Sequence, residues 1–325
     1  MAFKEIIGQK QAIEILKRSL KEGKISHTYL FVGPEGVGKK LTAISFAQAL
    51  NCPVLPLEGC GECLTCREIK NLTFPDLLYY TPDGMWFKIQ QVREIKREIY
   101  WRAFQSKWKI FILDSAHQLR NESANALLKS LEEPPPYTIF ILLVWRPEML
   151  LPTIISRSQI ISFSYLNNEE LREIFKDVPE EKIDIIIPLA QGSPGKGYFW
   201  LQEENWKKRE EFLKGLSLLK KDNISRIFDL VDFLAKDKKI DSVLSLLELL
   251  LFWWRDLFFW KLYEKEEYIT QKDFVREIAR KSQEFSLEKI RRNFRITQDA
   301  IRGIRNNANL LLTLETLFLR AGVLV

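Results

Sequence analysis

The sequence predicts an α/β fold: a parallel sheet built around a phosphate loop, followed by an all-helical half. Three observations point there. Tyr29-Leu30-Phe31-Val32 is a short apolar run that enters the glycine-rich Gly33-Pro34-Glu35-Gly36-Val37-Gly38-Lys39-Lys40, and a helical pattern follows over Leu41–Leu50. Two more buried-strand patterns, Lys109–Leu113 and Ile139–Val144, recur between stretches of helical spacing, as in a parallel α/β sheet. Beyond residue 165 the sheet-like runs cease, and the chain to Val325 is nearly all helical in pattern.

The 325 residues are enough for two or three domains with real cores. At 46% hydrophobic and 28% charged, the composition is that of an ordinary globular protein. A net charge of +6 with a pI near 9.0 is compatible with nucleic acid or an acidic partner but establishes neither, because lysine and glutamate are interleaved. The start, Met1-Ala2-Phe3-Lys4-Glu5, lacks the layout of a secretion signal. Val243–Trp254 is apolar but interrupted by Ser245 and Glu248 and followed by Arg255-Asp256, short of the ~20 residues that a membrane span needs. The expectation is a core helix in a soluble, cytoplasmic protein with no membrane partner.

Taken in order, Gln9–Lys21 carries Ala12, Ile13, Leu16 and Leu20 at helical spacing and stops at Gly23. His27 precedes the first strand and reads as a hydrogen-bonded structural residue. In the loop, Gly33, Gly36 and Gly38 let backbone N–H groups converge on a phosphate, the helix start adds its positive end, and Lys39 adds a point charge. The next position of such loops calls for Ser or Thr, whose hydroxyl ligates magnesium; this chain has Lys40. An ammonium offers no lone pair. At ~4 Å it repels a divalent ion by roughly 2 kcal/mol in water and up to ~8 kcal/mol at an effective dielectric of 20. Phosphate binding survives such a change if Lys40 swings outward, whereas magnesium-assisted hydrolysis is impaired.

All four cysteines follow: Cys52, Cys60, Cys63 and Cys66, spaced C-x7-C-x2-C-x2-C. Four thiolates complete a tetrahedral zinc shell with no open position, which makes a structural site. Disulfides are the rival in an oxidising compartment, and an iron–sulfur cluster shares C-x2-C-x2-C but lacks here the C-P that usually follows.

Turns at Phe74-Pro75-Asp76 and Thr81-Pro82-Asp83-Gly84 bracket a short strand, Leu77–Tyr80, and Ile89–Ile99 returns to helical spacing. Lys109–Leu113 ends at Asp114, where phosphate-loop proteins place a second magnesium contact. Ser115 follows, too weak a base to polarise water at neutral pH, and His117 reads as a packing residue more than a substitute base. Asn125–Glu133 is a helix stopped by Pro134-Pro135-Pro136. Arg157, in Ser156-Arg157-Ser158-Gln159, is by composition a surface charge.

The order Gly8-Gln9, His27–Phe31, the phosphate loop, the four cysteines, Asp114-Ser115-Ala116-His117, Leu127–Pro134 and Ser156–Gln159 resembles bacterial clamp-loader subunits of the AAA+ class, most of all the delta-prime subunits of DNA polymerase III. The resemblance is strong from Phe3 to about Gly197 and looser through Asn306–Leu310 to Gly322. It implies an AAA+ domain over residues 1–165 with a zinc module at 52–66, a helical lid over 166–205 and a helical oligomerisation collar over 206–325. It implies that Arg157 reaches a neighbouring subunit's ATP, where a guanidinium in trans stabilises transition-state charge. It also suggests Lys196, beside Gly192-Ser193-Pro194, as a nucleotide sensor, and Trp145-Arg146 as a departure from the small polar residue that active relatives hold near the γ-phosphate.

The expected function is therefore a largely non-hydrolysing clamp-loader subunit. Its partners would be gamma/tau-like and delta-like subunits, the sliding clamp, and primed DNA through the complex. Zinc would be its structural cofactor, with ATP or ADP weakly bound or absent. The alternatives are an active gamma/tau-like ATPase, resting on Gly33, Gly38, Lys39 and Asp114, and a zinc-dependent nucleic-acid binder. Trp253, Trp254 and Trp260, in a leucine-rich helix, read as core or interface residues and not as a base-stacking platform.

Overall fold

Runs of β-branched and aromatic residues form five strands: β1 (Thr28–Val32), β2 (Leu77–Tyr80), β3 (Lys109–Leu113), β4 (Thr138–Val144) and β5 (Gln159–Ser162). They pair parallel throughout in the order β2-β3-β4-β1-β5. This is a computed structural model, and it describes residues 2–219, 224–236 and 240–320. The expected segments ending at Gly322 and Val325 finish outside that range.

Because β3 and β4 lie inside the sheet, every residue of both is buried, which is why they read as unbroken apolar runs. The helices interleaved with the strands are α1 (Lys10–Glu22), α2 (Lys39–Asn51), α3 (Leu64–Lys70), α4 (Ile89–Ile99), α5 (Asn121–Glu132), α6 (Pro152–Ile155) and α7 (Asn168–Ile174). On one face of the sheet, Val92, Ile95 and Ile99 of α4 and Leu127 and Leu131 of α5 cover Leu30, Phe111, Phe140 and Leu142. Phe111 and Phe140 stack with ring centroids 5.1 Å apart. Tyr29 meets Phe46 of α2 edge-on at 5.1 Å, and Phe31 meets Phe163 at the same distance. Burying each such ring contributes about 1.5–3 kcal/mol relative to leaving it in water.

The contacts divide the chain into two compact units. One runs to Lys176 and takes in Gln191–Gly195; the other comprises Asp177–Ala190 and the chain from Lys196 onward. The second contains α8 (Glu180–Ala190), α9 (Pro194–Leu201, from Lys196), α10 (Glu203–Leu218), α11 (Ile224–Ala235), α12 (Ile240–Tyr263), α13 (Val275–Glu284), α14 (Leu287–Arg305) and α15 (Leu310–Arg320). Trp253 and Trp254 of α12 are buried, as the leucine-rich pattern implies, and Trp254 Nε1 donates to Thr297 Oγ1 of α14 at 3.2 Å. Arg209 of α10 is fully buried and satisfied by Gln271 Oε1 and both oxygens of Asp273. Among the described residues no helix is long and apolar enough to cross a membrane.

Several boundaries differ from the sequence reading. Helix α2 begins at Lys39 and α5 at Asn121, because the polar first turns carry no apolar periodicity to announce them. Strand β5 was not expected: it is an edge strand with alternating exposure, too short and too wet to stand out. Beside Lys196, the Gly192-Ser193-Pro194 turn opens α9 at Pro194, a residue whose fixed φ suits a first helical turn.

Candidate functional site

In a parallel sheet the carboxyl ends of all strands share one edge, and ligands bind there. At that edge β1 delivers the phosphate loop and β3 delivers Asp114, with β4 between them. Gly33 hydrogen-bonds back to Val144 O, and a Cβ there would run into the carbonyl oxygen of Phe163. Gly36 sits at φ +72°, and a Cβ on it would meet Ser193 Oγ and the backbone of Gly195. Ser193 Oγ donates to Glu35 O at 2.9 Å and Gly195 N to Gly36 O at 2.9 Å. The Gln191–Gly195 segment is thus packed directly on the loop, a partner the linear motif does not reveal.

Lys39 turns back on the loop, donating to Gly33 O at 2.5 Å and Pro34 O at 2.6 Å. Burial lowers its pKa to about 8, while Asp114 and Glu35 pull it back up. Lys40 stands with its ammonium 4.1 Å from the centroid of the Tyr79 ring, a cation–π distance. Tyr79, at the end of β2, donates its hydroxyl to Asp114 Oδ2 at 2.5 Å. Burial first, and then Asp114, push the Tyr79 pKa far up, so it remains a protonated donor.

A divalent cation of the magnesium type takes oxygen ligands. Here the hydroxyl position is an ammonium and one oxygen of Asp114 is engaged by Tyr79, so the residues present do not fit a magnesium ion. Ser115 lies at φ +54° and half-buried, with no carboxylate to align water. His117 is also half-buried; its pKa is lowered by burial and by Lys39, and Nδ1 has no hydrogen-bond partner among the described residues. His27 has the structural role expected of it, with Nδ1 3.1 Å from Thr138 O and its own carbonyl accepting from Phe140 N.

Arg157 sits in the turn between α6 and β5. Its Nε lies 3.1 Å from Glu132 Oε1 and its Nη1 donates to Thr153 O at 3.0 Å, with 42% of the side chain exposed. Trp145 and Arg146 follow β4, both exposed, with the guanidinium 4.9 Å from the indole centroid. Lys196 belongs to the helical unit, where it pairs with Glu248 Oε2 at 2.7 Å; Arg305 takes the other oxygen of Glu248 at 2.9 Å. The sequence reading missed Tyr79 and Glu132. The parallel β2–β3 pairing, which ends Tyr79 and Tyr80 beside Ile112 and Leu113, is the signal that places a tyrosine next to Asp114.

A second site lies after α2. The Sγ atoms of Cys52, Cys60, Cys63 and Cys66 all lie within 4.8 Å of one another. Cys52–Cys60 is 3.6 Å, Cys52–Cys63 3.9 Å and Cys60–Cys66 3.9 Å. Zinc–sulfur bonds of about 2.3 Å set tetrahedral corners roughly 3.8 Å apart, so the four thiols fit a tetrahedral ion. Backbone N–H groups of Leu55, Cys60, Cys63 and Cys66 point at the sulfurs, as suits thiolates. The N–H groups of Cys63 and Glu62 lower the Cys60 pKa to about 6, whereas burial raises that of Cys66. The knuckle also holds the chain's first residues: Ala2 N donates to Glu58 O and Gly59 O, and Ser45 Oγ to Ala2 O.

A parallel sheet, a phosphate loop at its carboxyl edge and a helical second half define the AAA+ class. Two family models match the chain: "DNA polymerase III, delta subunit" over residues 8–167 and "DNA polymerase III, delta subunit, C terminal" over residues 203–321. Between them they account for most of the chain, which belongs to the clamp-loader subunits of DNA polymerase III, a DNA-replication family. Among curated relatives, the tau subunit of Bacillus subtilis is 34% identical over 202 residues, covering 58% of this chain and 35% of the relative. The gamma subunit of Buchnera aphidicola (subsp. Schizaphis graminum) is 34% identical over 201 residues, 59% of this chain and 55% of the relative. The chain thus spans about a third to a half of these relatives. A solved gamma subunit-related protein of Thermotoga maritima is 18% identical at a TM-score of 0.42, covering 95% of this chain and 98% of that one.

Proposed function

We propose that this chain is a delta-prime-like subunit that cleaves no ATP itself and donates Arg157 to a neighbouring subunit's nucleotide. The observation that carries the reading is the Lys40–Tyr79–Asp114 arrangement, which removes the metal site while Gly33, Gly36, Gly38 and Lys39 keep the phosphate cradle. Ser115, where hydrolysing relatives need a carboxylate, supports it. So does Arg157, which lies partly exposed on a turn, with Glu132 as its carboxylate partner and Thr153 O accepting from its Nη1. Such a pair is worth no more than about 1 kcal/mol, so the arginine exchanges Glu132 for a phosphate readily.

In this reading residues 1–165 form the AAA+ domain, 166–205 a lid and 206–325 a collar that joins gamma/tau-like and delta-like subunits. The complex opens a sliding clamp and places it on primed DNA in the cytoplasm. Zinc fills the cysteine site as a structural ion. A second reading, an active gamma/tau-like ATPase, is favoured by the names of the curated relatives.

ATP turnover decides between them. The isolated chain should turn over ATP at background rate, whereas about 1 s⁻¹ or more establishes the second reading. Arg157→Ala should leave folding and assembly intact and cut turnover of the reconstituted complex by about 10³-fold or more at the site it serves. Unchanged turnover refutes the role given to Arg157.

A further inference from the structure

The structure departs most from an ordinary phosphate loop at its metal position. We propose that this chain binds the phosphates of ATP or ADP without a divalent cation, with the Lys40 ammonium taking the place of magnesium. The inference rests on the reading of Gly33–Lys39 as a phosphate cradle and deepens it.

Three observations converge. Lys40 is the second residue of α2, next to Lys39, so the two ammonium groups enter from the helix start that receives an anion. Lys40 is exposed, and its ammonium rests on the face of the Tyr79 ring at 4.1 Å, a weak contact that favours this position over free solvent. Finally, the Tyr79 hydroxyl donates to Asp114 Oδ2 at 2.5 Å, which occupies one oxygen of the carboxylate that would otherwise ligate a metal. One tyrosine therefore does two things: its ring holds the replacement cation and its hydroxyl occupies the former metal ligand. Nδ1 of the half-buried His117, without a hydrogen-bond partner among the described residues, is a further polar atom with capacity for a ligand.

Magnesium then competes with the site instead of completing it. It withdraws charge from the phosphates in solution and finds no oxygen cage on the protein. Nucleotide affinity should be undiminished, or greater, when magnesium is left out.

The test is equilibrium titration of the full-length, zinc-loaded protein with ATP and ADP. One buffer is freed of magnesium by resin, because a soluble chelator would strip the cysteine site; the other holds excess magnesium. The expected result for the wild type is a dissociation constant in magnesium-free buffer equal to or below that with magnesium. Lys40→Thr restores a hydroxyl and Tyr79→Phe frees Asp114. The double variant should bind at least about tenfold more tightly with magnesium than without it. Circular dichroism confirms that each variant is folded, and Lys40→Thr alone serves if the double variant is not. Wild-type binding tightened tenfold by magnesium overturns the proposal, as does no binding of either nucleotide in either buffer. Variants that remain indifferent to magnesium overturn the assignment to Lys40 and Tyr79. None of these outcomes touches the role of Arg157, which fails only on turnover by the complex.

Discussion

At the scale of single residues, three cations are held in three different ways. Lys39 is inward and partly desolvated, Lys40 rests on an aromatic face, and Arg157 is lightly paired. In the proposed nucleotide complex, the lowered pKa of Lys39, about 8, makes affinity depend on pH. Below its pKa Lys39 is a cation that attracts phosphate; above it the attraction is lost. A bound anion favours the charged form, so the midpoint in the complex lies above that of the free protein. Affinity for ADP should be flat at neutral pH and fall from about pH 8 upward, and Lys39→Met should abolish both the binding and the pH dependence. Lys39, Lys40, Asp114 and Ser115 were legible in the sequence because their motif positions are fixed by spacing. Tyr79 and Glu132 were not. Each acts through a contact between elements far apart in the chain, and neither belongs to the local pattern that made its partner conspicuous.

At the scale of elements, the loop between α4 and β3 depends on one buried carboxylate. Asp76, 1% exposed at the foot of β2, accepts from Phe104 N at 2.5 Å, Gln105 N at 2.8 Å, and Ser106 N and Oγ at 2.9 Å each. It thereby fixes a segment that presents Tyr100, Trp101 and Phe104 to solvent. Asp76→Ala leaves three N–H groups without an acceptor and should cost about 2–4 kcal/mol, read as a lowered urea midpoint with faster amide exchange at residues 104–106. Asp76→Asn should cost less. The sequence showed Phe74-Pro75-Asp76 as a turn because proline and aspartate mark turns locally. It could not show the bonds to residues 104–106, which exist only once β2 and β3 are paired. The same limit explains the elements that were missed: buried strands announce themselves by continuous apolarity, whereas β5, on the wet edge, and the polar first turn of α5 carry no such mark.

At the scale of the whole molecule, the sheet core is expected to outlast the cysteine knuckle when the metal is removed. The face covered by α4 and α5 packs without any of the four cysteines, whereas α2, whose Phe46 meets Tyr29, touches the knuckle through Gln48 Nε2 donating to Cys66 O at 2.8 Å. Removing the metal should therefore loosen residues 52–66 while the sheet stays protected, a result that hydrogen-exchange mass spectrometry reads directly alongside measured zinc content. Loss of protection in β3 and β4 as well would show that the ion supports the whole fold. The parallel sheet and the helical second half were legible at this scale, because hydrophobic period and run length distinguish them over many residues. The packing of Gln191–Gly195 on the phosphate loop was not, since it joins segments with a long stretch of chain between them.

The bonds from Ala2 to Glu58 and Gly59 give the knuckle a reach beyond its own turn. They tie Ala2 to the turn that carries Cys60, so losing the ion should loosen that contact while Ser45 still holds Ala2 O. A dye attached near Ala2 should tumble faster as the metal is removed, giving a simple optical gauge of metal content.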